Sequence, residues 1–421
     1  MRRIFSFAAP AILAVTFAAC TDSGTTPTGG QDPLVPPVAL PPAEKAVVQA
    51  GNDFSFRLLV ELNKEYAGQN VFISPLSVSM ALGMTMNGAR GATQSAMATT
   101  LGFGTLAQDD INRSYGSLTT LLTGLDPTVN MQIANAIWYR PSLVVVDSFR
   151  TVNMTYFNAE VNSVDFSIPT AADVINNWVS QHTYGKITKI VTPPIPADVM
   201  MYLINAVYFK GSWTYRYDPQ YTKTDQFTRD DGSQATCSMM SQTDTIPYFA
   251  AGGVQVADIP YGSGSFSMTV VLPPPGVSID AFVGSLTQAQ WNSWISGLSR
   301  KAVALWMPKF KIQYGAASLV NTLKALGMGI AFSGSADFTG IDTRGSLAIS
   351  DVLHKTFVQV DEVGTEAAAV TVVIIRATVA IGGQEDPIML RLNRPFIYAI
   401  REHATGSLVF VGKLASPEWT D

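Results

Sequence analysis

The residues best suited to chemistry in this chain are few and widely separated. The three histidines are His182, His354 and His403, and none of them lies in an H-E-x-x-H motif or beside a second ligand at metal-binding spacing. The two cysteines, Cys20 and Cys237, form no C-x-x-C pair, and the chain has neither a G-x-S-x-G nucleophile motif nor a P-loop. The sequence therefore predicts no enzyme activity, no metal site and no cofactor.

The segment between residues 362 and 387 has the most unusual pattern. After Glu362 and Gly364, every second residue is small over one stretch of chain. These residues are Thr365, Ala367, Ala369 and Thr371. Alternate residues share one face of a β-strand, so this face could enter a narrow, pre-existing gap. An apolar β-branched run at 372–375 follows, and an ordinary buried strand leading into a loop is the alternative interpretation.

The composition indicates the class of protein that must position these residues. Of the 421 residues, 47% are hydrophobic and 14% are charged, and the formal net charge is −5. So apolar a chain can form a sizeable core, which excludes a disordered or fibrous protein. Because an acidic chain without a basic run lacks the charge that nucleic-acid binding requires, nucleic acid is not an expected partner.

The first twenty residues resemble an export signal. Arg2 and Arg3 precede an apolar stretch at 4–19, and small residues close the segment before Cys20. About 16 apolar residues are too few for a typical membrane-spanning helix. Residues 17–20 resemble a bacterial lipobox, in which the cysteine is lipidated, although Phe17 departs from the usual leucine. We expect residues 1–20 to be a signal peptide with lipidation at Cys20, and ordinary secretion is the alternative.

Residues 21–42 are rich in proline and glycine and contain no aromatic residue. Such a segment buries too little surface to offset its ordering entropy. We therefore expect an extended, disordered tether between a lipid anchor and a globular body, with an unselected tail as the alternative. No second linker follows, and residues 43–421 are expected to form one domain.

That domain has the pattern of an α+β fold. Apolar periodicity predicts helices at 43–65, 77–87, 93–101 and 171–182, with Thr93 capping the third of them. Runs of β-branched and aromatic residues predict strands at 131–139, 200–209, 266–272, 302–312, 388–401 and 408–414. Gly262 and Gly264 are expected in a hairpin turn. Helices come first and strands concentrate late, which favours large antiparallel sheets.

Five segments resemble those of one known family, the serpins. They lie at residues 70–77, 203–213, 337–340, 360–369 and 392–396, in the order in which the family carries them. The resemblance covers nearly all of residues 43–417. It implies one domain with three β-sheets, about nine helices and an exposed reactive-centre loop at about residues 362–387.

In that family a protease attacks the loop and becomes an acyl-enzyme, and the cut loop then inserts into the largest sheet, a recognised serpin transition. The loop begins with a hinge. By resemblance the hinge comprises Glu362, Gly364, Thr365, Glu366, Ala367, Ala368, Ala369, Val370 and Thr371. Ser74, Ser77, Asn205 and His354 match the serpin cluster beneath the sheet where its strands part, and Trp213 matches a tryptophan at its top. Ordinary core packing is the alternative for these five residues.

The resemblance also implies a reactive bond. This bond usually follows the fourteenth residue after the hinge glycine, so it is expected between Thr378 and Val379. Thr378 suits a protease with a small or apolar primary pocket, such as an elastase-like or subtilisin-like serine protease. Ala377 is an alternative, and Arg376 would instead attract a trypsin-like protease.

Two functions are consistent with these residues. The first is a suicide-type serine protease inhibitor, monomeric and exported, which touches a membrane only through a lipid at Cys20 or is secreted. The second is a non-inhibitory serpin that acts as a binding or carrier protein. Members of the second class often carry bulky or charged hinge residues, whereas Thr365, Ala367, Ala368 and Ala369 are small. We therefore expect inhibition.

Overall fold

The computed structural model describes residues 38–345, 347–365 and 386–419. The predicted signal peptide, Cys20 and most of the predicted tether lie outside these ranges, as do residues 366–385 of the predicted loop. The first helix begins at Pro42, whose fixed φ and missing N–H suit the first helical position, one residue before the predicted domain boundary. No helix in the described ranges is both long enough and apolar enough to cross a membrane.

Nine α-helices lie in the described ranges. They are α1 (Pro42–Glu65), α2 (Pro75–Met86), α3 (Gly91–Thr100), α4 (Gln108–Gly124), α5 (Asp147–Phe157), α6 (Ala171–His182), α7 (Ile279–Gly284), α8 (Gln288–Gly297) and α9 (Val320–Leu323). The four predicted helices are present, but the prediction that Thr93 caps α3 is wrong. Arg90 occupies the N-cap, and Thr93 is buried in the first turn, where its Oγ1 accepts the N–H of Asp337 at 2.9 Å.

Six strands form one sheet. In spatial order they are β10 (Phe310–Ser318), β11 (Leu353–Val360), β12 (Gly364–Thr365), β4 (Met201–Ser212), β2 (Val129–Tyr139) and β3 (Glu160–Ser163). All neighbours are antiparallel except β2 and β3, which are parallel. Helix α6 covers one face of this sheet, because Ile175 and Trp178 share a small core with Ile204 of β4.

Nine further strands form the second sheet. In spatial order they are β1 (Val71–Ile73), β15 (Leu408–Leu414), β14 (Phe396–Glu402), β8 (Phe266–Leu272), β7 (Val254–Tyr261), β6 (Gln234–Ala251), β9 (Ser299–Pro308) and β13 (Ile388–Arg391), with β5 (Lys223–Thr228) also paired to β6. The predicted α+β class is confirmed, but the described strands form two sheets rather than the three that the resemblance implies. Strand β6 joins two groups of strands into this one sheet. It pairs first with β5, then with β9 over the middle of its length, and with β7 at its end.

Two predicted strands are each split in two. The run at 302–312 is divided because Pro308 ends β9 and the chain crosses at Lys309 to the other sheet, where it continues as β10. The run at 388–401 is interrupted before β14 by Pro395, which has no N–H for a ladder hydrogen bond. Gly262 and Gly264 have φ of +52° and +95° between β7 and β8, which confirms the predicted turn.

Candidate functional site

Two residues of the predicted hinge form the short strand β12, which lies between β11 and β4. Thr365 pairs with Val360 of β11 and with Gly211 of β4, and Gly364 pairs with Ser212. Within the described ranges, β11 and β4 are connected in the sheet only through β12. The sheet is therefore bridged at one end, and no described strand lies between β11 and β4 beyond Thr365.

The two residues of β12 fit closely into this position. A Cβ on Gly364 would lie 2.1 Å from the carbonyl oxygen of Gly211, so no side chain can be accommodated there. Thr365 is 3% exposed, and its hydroxyl shares a hydrogen bond with the phenol of Tyr261. Burial raises the pKa of Tyr261 well above its ordinary value, so the phenol stays neutral and can donate. Thr365 therefore faces the core.

Trp213 holds the chain just before β12. Its ring stacks on Tyr261 with 4.4 Å between centroids, and the residue is 2% exposed. Its indole Nε1 donates to the carbonyl of Asp361 at 2.8 Å, and its backbone N–H donates to the carbonyl of Val363 at 2.8 Å. The predicted tryptophan thus lies against the hinge and fixes the point from which β12 starts.

Glu362 connects the two sides of the gap above β12. Its carboxylate is 2.9 Å from Lys309 Nζ and accepts the hydroxyl of Thr222 at 2.8 Å, while its carbonyl accepts the N–H of Tyr217 at 3.0 Å. Burial alone would raise the pKa of Glu362, but the hydrogen bonds from Lys309 and Thr222 outweigh it and lower that pKa. The side chain is therefore a charged link between the β9–β10 crossing and the segment that follows β4.

The four predicted polar residues lie together, close to α2. Ser74 caps this helix, with its Oγ 3.3 Å from the N–H of Ser77, and its own N–H donates to Nε2 of His354 at 3.0 Å. Ser77 Oγ donates to the carbonyl of Asn205 at 3.2 Å. His354 is 5% exposed, and burial lowers its pKa to about 4, so the imidazole is neutral and its proton lies on Nδ1.

A fifth polar residue, Asn135, belongs to this cluster and was missed in the sequence. It lies directly opposite Asn205 in the β2–β4 ladder and accepts from its Nδ2 at 2.7 Å. Its own Nδ2 donates to the carbonyl of Phe157 at 2.7 Å, and Asn135 is 3% exposed. An amide in the otherwise apolar run at 133–138 was the available signal, but the partner strand could not be known.

A cavity of about 700 Å³ lies beside this cluster. Helix α2 contributes Ser77 and Val78, β4 contributes its first five residues, and β11 contributes Leu353 and His354. The segments 190–200 and 338–352 supply much of the remaining lining. Most of the residues that line the cavity are apolar, and the rest are polar. The two strands that border it, β4 and β11, are joined by β12 at their opposite ends.

The other predicted site residues lie outside the described ranges. They are Cys20, Glu366, Ala367, Ala368, Ala369, Val370, Thr371, Arg376, Ala377, Thr378 and Val379. Beyond the loop the chain is described again, and β13 pairs in parallel with β9. The two ends of the loop are therefore held by different sheets.

Cys237 is half-buried, and burial raises the pKa of its thiol to about 11.

The sequence is similar to that of known proteins from one family. A family model described as serpin (serine protease inhibitor) matches residues 49–417. The chain is similar to human neuroserpin, with 33% identity over 377 residues that cover 87% of this chain and 90% of the relative. It is also similar to Iripin-2 of Ixodes ricinus, again with 33% identity, covering 88% of this chain and 94% of the relative.

Solved structures show the same similarity in three dimensions. The native state of the thermophilic serpin tengpin superposes with a TM-score of 0.80 and 32% identity, covering 91% of this chain and 96% of that one. Human thyroxine-binding globulin in complex with thyroxine superposes with a TM-score of 0.81 and 27% identity, covering 90% of this chain and 100% of that one.

Proposed function

The chain belongs to the serpin family of serine protease inhibitors, and on that premise we propose that it is a suicide-type inhibitor. A target protease cuts the loop, forms an acyl-enzyme, and is trapped when the cut loop inserts between β11 and β4. The observation that carries the proposal is β12 itself. Its two residues already occupy the start of an inserted strand, paired on both sides and with Thr365 facing the core.

The register of β12 defines how insertion would continue. If it were extended along both ladders, Ala369 would pair with Val207 and Thr356, and Thr371 would pair with Asn205 and His354. Because alternate residues share a face, every second residue after Thr365 would also face the core. These residues are Ala367, Ala369, Thr371, Val373 and Ile375. A small side chain, that of Thr371, would thus lie at the polar cluster, and the larger apolar ones would lie beyond it.

The same register brings the last apolar residues to the cavity. Val373 would lie opposite Leu203 and Ile375 opposite Met201, and both of these β4 residues line the cavity. Burying each side chain contributes roughly 1.5–3 kcal/mol, and each new ladder hydrogen bond about 0.5–1.5 kcal/mol. The uninserted protein is therefore metastable and persists because of a kinetic barrier.

We place the reactive bond between Thr378 and Val379, with Ala377 as a close alternative. A small side chain before the bond suits an elastase-like or subtilisin-like protease. Cleavage after Arg376 by a trypsin-like protease would shorten the inserted strand by two residues.

A binding or carrier role is the second candidate, since thyroxine-binding globulin is among the similar structures. The small hinge residues favour inhibition over that role.

The test is incubation of the mature protein with elastase-like, subtilisin-like and trypsin-like proteases. We expect one of the first two to form a complex that survives denaturation. Mass spectrometry should then detect a released fragment that begins at Val379. The same protease blocked at its catalytic serine is the control and forms no complex. Cleavage without a complex for every protease would instead support the binding or carrier role.

Export and anchoring complete the proposal. A signal at residues 1–20 and a lipid on Cys20 would hold the inhibitory domain at a membrane surface on the tether at 21–42. We expect the expressed full chain to partition into detergent and the Cys20→Ser variant to partition into the aqueous phase. Aqueous partition of both proteins would favour ordinary secretion.

A further inference from the structure

The carboxyl-terminal segment lies beside the β9–β10 crossing, whose Lys309 pairs with Glu362 of the predicted hinge. Asn70 holds this segment, because its Oδ1 accepts the N–H groups of Ala415 and Ser416 and its Nδ2 donates to the carbonyl of Ser416. Two residues later, the carbonyl of Glu418 accepts the N–H of Lys311 at 2.7 Å. These main-chain contacts fix the direction in which the chain continues to Trp419.

Trp419 covers the cation of the hinge ion pair. Lys309 Nζ lies 4.6 Å from the centre of the Trp419 ring and 2.9 Å from the carboxylate of Glu362. An ammonium over an indole face is attracted by the ring quadrupole, and the attraction grows as water is excluded. The Lys309 side chain is 21% exposed and that of Glu362 is 13% exposed, so this ion pair is partly desolvated.

The ion pair has a particular place in the sheet. Glu362 lies two residues beyond the end of β11, and Lys309 lies on the crossing into β10. Thr222 and Tyr217 belong to the segment after β4. Lys309, Glu362 and Thr222 therefore form a brace across the top of β11 and β4, where β12 enters. The family model matches residues 49–417, so the ring that covers this brace lies just beyond the matched part of the chain.

We propose that Trp419 is a positioning residue for the loop: by covering Lys309 it strengthens the brace and delays insertion of the uncut loop. This inference rests on the proposed insertion mechanism and adds to it a control of the lifetime of the intact inhibitor. Loosening the brace lets β11 and β4 separate more easily, which admits the loop before any protease has cut it.

The test holds the intact protein at a fixed raised temperature and measures how long it stays uninserted. Unfolding in urea identifies the uninserted form, and resistance to urea identifies the inserted one. We expect Trp419→Ala to shorten this lifetime about fivefold. Trp419→Phe, which keeps an aromatic face, should stay close to wild type. Lys309→Met should also shorten the lifetime, and adding Trp419→Ala to Lys309→Met should produce no further change, because the cation is already gone.

Two results would overturn the proposal. One is a Trp419→Ala protein that keeps its uninserted form as long as wild type. The other is the same fivefold loss in the Lys309→Met background, because Trp419 would then act by packing alone. The urea readout needs no protease, so faster conversion without any trapped protease would retain the role of Trp419 and reject the inhibitory function.

Discussion

His354 accepts the backbone N–H of Ser74 through Nε2 at 3.0 Å, in a buried position between β11 and the start of α2. Only the neutral imidazole can make this hydrogen bond, because a protonated Nε2 would be a donor. Protonation of this one side chain would therefore break a buried hydrogen bond between β11 and the start of α2.

The first prediction follows from the pKa of His354, which burial lowers to about 4. Between about pH 6.5 and pH 4 the unfolded chain binds a proton here and the folded chain does not, so stability falls as pH falls through that window. The loss reaches on the order of 3 kcal/mol near pH 4. Urea unfolding of the intact protein across this range measures it.

The control is His354→Gln, whose Oε1 can accept the N–H of Ser74 and does not titrate. We expect the variant to have a shallower pH dependence of the free energy of unfolding between pH 6.5 and pH 4. Parallel curves for the two proteins would show that His354 is not the group responsible.

The second prediction concerns which of the alternating hinge residues would face the core after insertion. In the proposed inserted strand Ala369 would face the core, so Ala369→Arg would force an unpaired charge into that space at a cost of several kcal/mol. If about 2.8 kcal/mol of this cost appears in the insertion barrier, insertion slows roughly a hundredfold. Hydrolysis of the acyl-enzyme then wins, and the protein is cleaved as a substrate with many molecules consumed per protease inactivated.

Ala368→Arg is the matched control, because Ala368 is one residue away and would lie on the opposite face of the inserted strand in the same register. It should keep nearly one-to-one trapping of the protease. Equal behaviour of the two variants would contradict the register drawn from Thr365.

The third prediction tests the close fit of Gly364. A methyl group there meets the Gly211 carbonyl at 2.1 Å, so Gly364→Ala should displace β12 at a cost of about 1–3 kcal/mol and reduce the yield of trapped complex. Gly51→Ala is the control: Gly51 lies inside α1 with open space at its Cβ, and the exchange should stabilise the protein by about 0.5–1 kcal/mol. A Gly364→Ala protein with a wild-type yield of trapped complex would mean that β12 tolerates the shift.

The fourth prediction concerns the cut loop. Cleavage between Arg376 and Gly382 should raise the melting temperature by roughly 20 °C or more, because a released strand of about ten residues completes the sheet. Calorimetry of intact and cleaved protein measures this difference. A cleaved protein that melts at or below the intact one would show that the loop does not insert.

Sequence patterns predicted those features whose cause is local. The predicted bounds of the helix at Ala171–His182 and of the strands at Phe266–Leu272 and Leu408–Leu414 match the structure residue for residue. The apolar periodicity indicates the helix, and runs of β-branched and aromatic residues indicate the two strands. Apolar content could not show that the run at 302–312 crosses between two sheets at Lys309. The division depends on which strands lie beside each half, and those partners are distant in the chain.

The same distinction applies to the site. Ser74, Ser77, Asn205 and His354 were named from a resemblance, and the structure brings them together. Asn135 was missed because its role arises from standing opposite Asn205 across a ladder. The contact of Trp419 with Lys309 joins residues 110 positions apart, and no pattern in either segment indicates it.

The attachment of the loop to two different sheets limits how far an uncut chain can travel. Between Thr365 and Ile388 there are 22 residues. Each residue that enters the gap lengthens the span still to be crossed by about 3.3 Å and removes one residue from the chain that crosses it. By the time Ile375 reached Met201, the remainder would be stretched almost taut unless β13 peeled away from β9. In the proposed mechanism cleavage would release this tension, which in the intact molecule the four residue pairs of β13 with β9 would have to resist.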